Sequence, residues 1–191
     1  RYLILGLGKS GLSAALYLRR QKAKLVLADT RENIDGLESL RENFPNAGIF
    51  LGELSLSLLD GVDVLVISPG LSPEHPLVKE ARRRSLDVIG DVELFCQRAS
   101  SPIVAITGTN AKSTVVTLIA KMISDAGYSV GLGGNIGTPA LELLDRTSAE
   151  PDFYVLELSS FQLESTPSLK AKVAAVLNVT PDHMDRYDSF E

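Results

Sequence analysis

The sequence predicts an α/β protein made of parallel sheets: a Rossmann-like, doubly wound domain over residues 1–100, then a phosphate-loop-containing α/β domain over 101–191. Three observations lead there. Short, continuously apolar runs alternate with helix-spaced segments along the chain, which is the pattern of parallel strands covered on both faces. A glycine turn, "GLGKSG" (6–11), follows the first of those runs and opens a helix. A second turn, "TGTNAKST" (107–114), stands in the same strand-to-helix context.

Taken in order, the strands predicted in the first half are "YLILG" (2–6), "KLVLAD" (24–29), "GIFLG" (48–52), "DVLVIS" (63–68) and "DVIG" (87–90), all expected to be covered on both faces. Residues 10–20, 35–43 and 74–84 carry helical spacing between them. The stretch "GDVELFCQRASSP" (90–102) reads as a helix and a small polar linker ending in proline, which places a domain boundary near residue 100. Beyond it, "IVAIT" (103–107), "SVGLG" (129–133), "FYVLELS" (153–159) and "VAAVLNV" (173–179) are predicted strands. A long helix runs from about 112 to 126 and is ended by Gly127.

Composition excludes several classes of function. At 191 residues, 45% apolar and 23% charged, this is ordinary globular material with room for two cores. A net charge of -5 argues against a nucleic-acid surface, which would select a basic face. The run Arg82-Arg83-Arg84 reads as a solvated helix end. Cys96, the single cysteine, has no metal-ligand spacing around it and reads as a small core hydrophobe suited to a reducing cytoplasm. No apolar run approaches the roughly 20 residues of a membrane span. The expectation is a cytoplasmic monomer acting on small molecules, with neither nucleic acid nor membrane as partner.

In the first loop, Gly6 is expected to make the tight turn, Gly8 to admit a diphosphate, and Gly11 to let helix and strand pack closely. The amides of Lys9 and Ser10 would face the anion. Asp29, at the end of the second strand, could accept hydrogen bonds from a ribose hydroxyl or a base edge. NAD, another diphosphate nucleoside, or a purely structural glycine turn all satisfy these residues. "SPGLSP" (68–73) adds a glycine turn at the same sheet edge.

The second loop departs from the general G-x-x-x-x-G-K-[ST] form: Ile106 and Ala111 stand where glycines are usual. Its residue types still suit a triphosphate. Lys112 brings a charge to the β and γ phosphates, Ser113 offers a hydroxyl to Mg²⁺, and the helix N-terminus supplies amides. If Ala111 had to adopt positive φ, the cost would be roughly 1–2 kcal/mol, against about 1.5–3 kcal/mol for each charge-assisted phosphate contact. Ordinary helical or bridge dihedrals are expected at Ala111, so that Ala111→Gly changes ATP affinity little.

The loop "TGTNAKST", together with "GDVELFC" (90–96), "GGNIGTPAL" (133–141), "LELSSFQLE" (156–164) and "LNVTPDHMDRY" (177–187), resembles the Mur ligases, in this order and across essentially the whole chain. The likeness is strongest to the D-glutamate-adding branch. It implies an ATP-dependent acid–amino-acid ligase of peptidoglycan synthesis, which would join D-glutamate to UDP-N-acetylmuramoyl-L-alanine through an acyl phosphate. The first domain would then hold the UDP precursor through Lys9, Ser10, Asp29, Thr30, Arg31 and Gly70, with Asn135 and Ser159 facing it from the central domain. ATP would lie on Gly108, Thr109, Asn110, Ala111, Lys112, Ser113 and Thr114. Magnesium would be held by Ser113, Glu157 and His183, and Lys112, Glu157 and His183 would be the catalytic set. The family also carries a modified lysine after the histidine motif and a third domain. Neither is within these 191 residues, so the chain is expected to be part of a longer protein and incomplete for catalysis alone.

Residue chemistry by itself keeps other readings open. Glu157, on a buried strand, needs either a metal or a salt bridge. His183, between two aspartates, could ligate a metal or pair with one of them, since Mg²⁺ prefers oxygen. Asp182 and Asp185 read as cap or outer groups, and His75 is given no role. The rival to a ligase is an NAD-binding regulatory module coupled to a nucleotide switch, and a blander option is an inactive nucleotide binder.

Overall fold

The computed structural model describes residues 1–145 and 149–182. The chain divides into two compact units, Arg1–Leu94 and Phe95–Glu191.

Unit 1 is one five-stranded parallel sheet, ordered β3-β2-β1-β4-β5, from β1 (Tyr2–Leu5), β2 (Leu25–Asp29), β3 (Gly48–Leu51), β4 (Val64–Ile67) and β5 (Asp87–Ile89). The period of two puts Leu3, Leu5, Val26, Ala28, Leu65 and Ile67 in one cluster with Leu77, Val78 and Ala81 of α3 (Pro76–Arg83). Ile4, Leu27 and Val66, equally buried, point the other way. Helix α1 (Lys9–Arg20) contacts β1, β2 and β4, and α2 (Leu37–Asn43) follows β2. Expected burial on both faces holds for the central strands and fails for the edge strand β5, whose residues are exposed or half-buried, and for β3. That strand alternates exposed and half-buried residues because it is the sheet edge, and Phe50 is 44% exposed there.

The short helix α4 (Asp91–Cys96) leads into unit 2. Its parallel sheet, ordered β7-β8-β6-β9, is built from β6 (Ile103–Thr107), β7 (Val130–Gly134), β8 (Phe153–Glu157) and β9 (Val173–Val176). Helix α5 (Lys112–Asp125) carries apolar residues at 116, 119, 120 and 123, one helical stripe, and lays them on Val104, Ile106 and Val155. Phe95 and Tyr154 meet edge to face, ring centroids 4.9 Å apart. β9 is an edge strand with Val173 and Val176 exposed. Helix α6 (Ser160–Glu164) follows β8, whereas the sequence predicts strand as far as 159; Ser159 and Gln162 form a capping box that stops the strand and starts the helix. Among the described residues no helix is long and apolar enough to cross a membrane.

Candidate functional site

In both units the candidate residues sit in loops at the carboxyl edge of a parallel sheet, where such folds collect ligands. In unit 1 the strand order reverses between β1 and β4, and the loops leaving those two strands abut. The Gly6 turn, at φ +91°, passes so close to Ser68 that a Cβ there would lie 2.7 Å from the Ser68 Cβ. A Cβ on Gly11 would overlap the carbonyl oxygen of Gly6, so this glycine is what lets α1 start directly over the turn. Gly8 is the N-cap of α1, no side chain caps it, and a Cβ there would meet nothing within 4 Å. The N-cap residue itself thus offers no side-chain acceptor to the first turn of α1, where Lys9 and Ser10 stand. Lys9 and Gly70 are exposed at this edge, as is Thr30.

Asp29 has a different job from the one expected. Its carboxylate, 3% exposed, accepts hydrogen bonds from the Leu7 amide at 2.6 Å and from the Arg31 amide, Nε and Nη2 at 2.9, 2.9 and 2.8 Å. A buried carboxylate has to be compensated, and these four donors fill its lone-pair sites, leaving none for a ribose hydroxyl. The Arg31 side chain, the largest influence, helps hold its pKa at about 2. Asp29 thus ties the glycine turn to Arg31 and fixes the plane of a guanidinium that stays 57% exposed. Beneath the loop lies Asp91, 1% exposed, whose two oxygens have no well-formed hydrogen bond among the described residues; burial pushes its pKa up, while the Ser10 hydroxyl nearby opposes the shift. A separate cavity of about 930 Å³, lined by Arg19, Lys22, Lys24 and Phe44 among others, lies beside the start of β2 and is remote from this edge.

In unit 2 three neighbouring strands deliver their ends to one place. The phosphate loop leaves β6, Glu157 ends β8, and Asn135 follows β7. Glu157, 3% exposed, accepts from Ser113 Oγ at 2.7 Å and from Asn135 Nδ2 at 2.8 Å, while the Asn135 amide donates to the Glu157 carbonyl at 2.8 Å. The salt bridge considered for Glu157 is absent among the described residues; neutral donors hold it instead. Ser113 Oγ and Glu157 Oε2 are hard oxygens side by side, a donor set that fits Mg²⁺. The described residues include no cluster of three or more His, Cys, Asp or Glu side chains able to hold a metal, and His183 and Asp185 lie outside the described residues.

The loop is held from two directions. Lys112 Nζ donates to the carbonyls of Gly108 and Thr109 at 2.7 and 2.9 Å. From the other side, Asn178 accepts from the Asn110 amide through Oδ1 at 2.8 Å, donates through Nδ2 to the Asn110 carbonyl at 3.1 Å, and accepts the Thr109 amide on its own carbonyl at 3.0 Å. Asn178 is absent from the sequence-derived site; only the parallel pairing of β6 with β9 brings it here. Ala111 corrects an expectation outright. It is left-handed, φ 66° and ψ 4°, as the N-cap of α5, with no side-chain cap. An αL residue followed by helical ones turns successive amides into one concavity, an anion nest, which the ordinary dihedrals expected there would not form. Thr114 lies exposed in the first turn of α5, and Ser159 caps α6, its hydroxyl accepting from the Gln162 amide at 3.2 Å.

Two parallel-sheet units, one with a phosphate-loop architecture and paired oxygen donors beside it, define an α/β protein of the nucleotide-loop class. Residues 1–90 match the family described as Mur ligase MurD-like, N-terminal domain, and residues 106–191 match the Mur ligase middle domain, so the chain belongs to the Mur ligase family. It is 52% identical over 188 residues, 98% of its length, to the UDP-N-acetylmuramoylalanine--D-glutamate ligase of Haemophilus influenzae. It is 49% identical over 185 residues, 97% of its length, to that of Pseudomonas syringae. The chain spans 42% and 41% of those two relatives. Solved structures share the fold: a UDP-N-acetylmuramate:L-alanyl-gamma-D-glutamyl-meso-diaminopimelate ligase from Neisseria meningitides (TM-score 0.58, 16% identity, 97% of this chain and 62% of that one). A UDP-N-acetylmuramate-alanine ligase from Thermotoga maritima gives TM-score 0.53 at 18% identity, over 98% of this chain and 43% of that one.

Proposed function

We propose that this chain is the nucleotide-binding part of a cytoplasmic ligase that joins D-glutamate to UDP-N-acetylmuramoyl-L-alanine at the expense of ATP, working as a monomer. The observation that carries the chemistry is the meeting of Ser113, Asn135 and Glu157 beside the loop at 2.7 and 2.8 Å. The named relatives supply the choice of substrates. The family matches and the named relatives give no support to the rival NAD-binding regulator.

A carboxylate does not condense with an amine in water, because the carbonyl carbon is a poor electrophile and oxide a poor leaving group. In the proposed reaction an oxygen of the precursor's alanyl carboxylate attacks the γ-phosphorus of ATP, and the bond to ADP breaks. The amine of D-glutamate then attacks the acyl phosphate, loses a proton, and the carbonyl reforms as phosphate leaves. Two anions must first be brought together, so the protein's part is alignment and charge neutralisation. Lys112 leaves the Gly108 and Thr109 carbonyls for the β and γ phosphates. The amides from Ala111 to Thr114 take phosphate oxygens, within the set Gly108 to Thr114. Ser113 and Glu157, with His183, would hold magnesium, which supplies charge neutralisation when bound; Asn135 keeps Glu157 aimed. In unit 1, the amides of Lys9 and Ser10 take the diphosphate. Thr30, Gly70 and the Arg31 guanidinium set by Asp29 border the uridine, and Ser159 and Asn135 face the precursor.

The test is phosphate release by the whole protein that carries this chain. Release should require both UDP-N-acetylmuramoyl-L-alanine and D-glutamate, and Glu157→Ala should abolish it. Tight binding of NADH with no heat from the precursor would sink the reading.

A further inference from the structure

We propose that Asn178 is a positioning residue for the nucleotide: its carboxamide holds the peptide between Asn110 and Ala111 in a reversed orientation, which aims the Ala111 amide into the phosphate-binding concavity. The inference rests on the ATP reading of this loop and goes beyond it.

A trans peptide is planar, with its C=O and N–H pointing in opposite directions. Three consecutive peptides of the loop can therefore be oriented from their partners. In the Gly108–Thr109 peptide, the carbonyl faces Lys112 Nζ and the amide faces the Asn178 carbonyl. The Thr109–Asn110 peptide does the same, carbonyl to Lys112 Nζ and amide to Asn178 Oδ1. The third is turned over: the Asn110 carbonyl faces Asn178 Nδ2, so the Ala111 amide points toward the Lys112 side. Reversing one peptide changes ψ of the residue before it and φ of the residue after it. Ala111 accordingly stands at φ 66°, among only three non-glycine residues with positive φ in the described structure.

An asparagine is the side chain that can do this. Its carboxamide repeats the donor–acceptor pair of a peptide, and here it engages both the N–H and the C=O of Asn110 at once. Aspartate would keep the acceptor and set a second oxygen against the Asn110 carbonyl. The surroundings are cut to the same purpose. Gly108, at φ +139°, lies so near Asn178 that a Cβ would be 3.0 Å from its carbonyl oxygen. Thr109 and Thr180 exchange hydrogen bonds at 3.3 and 3.0 Å one step further on. The general phosphate loop places glycine at the position of Ala111 and needs no such brace.

The experiment is calorimetric titration of MgATP into the whole protein carrying Asn178→Ala, Asn178→Asp, or Asn178→Ala with Ala111→Gly, with UDP-N-acetylmuramoyl-L-alanine affinity measured alongside. Losing two hydrogen bonds to the loop should weaken MgATP about tenfold in the alanine variant and further in the aspartate variant. Precursor affinity should stay unchanged, which shows the protein folded. Glycine at 111 adopts positive φ without the steric cost and should restore most of the lost affinity. MgATP binding as tight in Asn178→Ala as in the parent overturns the proposal, and so does failure of the glycine to rescue. A parent that binds no MgATP overturns the reading of the loop itself.

Discussion

Ala111 shows how a single residue can depart from a motif without abolishing its use. The left-handed conformation costs an alanine roughly 1–2 kcal/mol, and the carboxamide of Asn178 braces the peptide that imposes it. Ala111→Gly should therefore raise stability by up to about 1 kcal/mol, because the strain relieved slightly exceeds the extra entropy of glycine in the unfolded chain. MgATP affinity should hardly move while Asn178 is present. A branched side chain is worse placed, and Ala111→Val should lower stability by about 2 kcal/mol or more; equal denaturation midpoints for the three proteins would contradict this. Arg31 gives a second residue-level expectation. With the Asp29 pKa held at about 2, the stabilisation from this ionised carboxylate is complete above the ordinary carboxylate range and is lost as pH falls toward 2. Arg31→Ala removes the largest cause of the depression. The pH dependence of stability in that window should flatten, as urea melts from about pH 5 to about pH 2 would reveal.

At the level of elements, helix α3 carries an acid-sensitive start. His75 caps it through Nδ1, which accepts the Leu77 amide at 3.2 Å, and Pro76 occupies the first turn, where a missing N–H is harmless. Only an imidazole with Nδ1 unprotonated can accept, and burial lowers the His75 pKa. The cap is therefore complete above the ordinary histidine value and fails as pH falls through the lowered one. A His75→Asn variant keeps a side-chain acceptor at every pH. The parent should match that variant near pH 8 and lose about 1 kcal/mol against it by about pH 5; parallel stability curves would refute the cap. This histidine has no role that the sequence alone announces, since a cap is recognised there by serine, threonine or aspartate. The strands were legible because apolar runs such as "YLILG" and "IVAIT" need no tertiary information. Edge strands β3 and β5 were misjudged as two-sided, because their composition matches that of central strands and position in the sheet is decided by topology. Helix α6 had a written signal, Ser159 with Gln162 three residues later, but the apolar run before it hid the boundary. Loop residues 108–114 and Glu157 were recognisable from residue types. Asn178 was not, because its meaning depends on a strand pairing across 68 residues.

For the molecule as a whole, the two units define which amides each ligand should protect. UDP alone carries the diphosphate and uridine, whose proposed contacts all lie in Arg1–Leu94. Added to the whole protein, it should slow hydrogen exchange around residues 6–11, 29–31 and 68–70 and leave 106–116 unchanged. MgATP should do the converse, slowing exchange at 108–116 while the first glycine loop exchanges as before. The complete precursor should reproduce the UDP pattern and add protection near Asn135 and Ser159, because only its alanyl end is proposed to reach those residues. At ligand concentrations about 100 times the dissociation constant, linkage makes each binding event worth about 2.7 kcal/mol, enough to slow exchange by about a hundredfold wherever opening and binding exclude each other. UDP protection at 106–116, or precursor protection that never extends past residue 94, would show that the assignment of substrate parts to units is wrong even if the ligase reaction itself is observed.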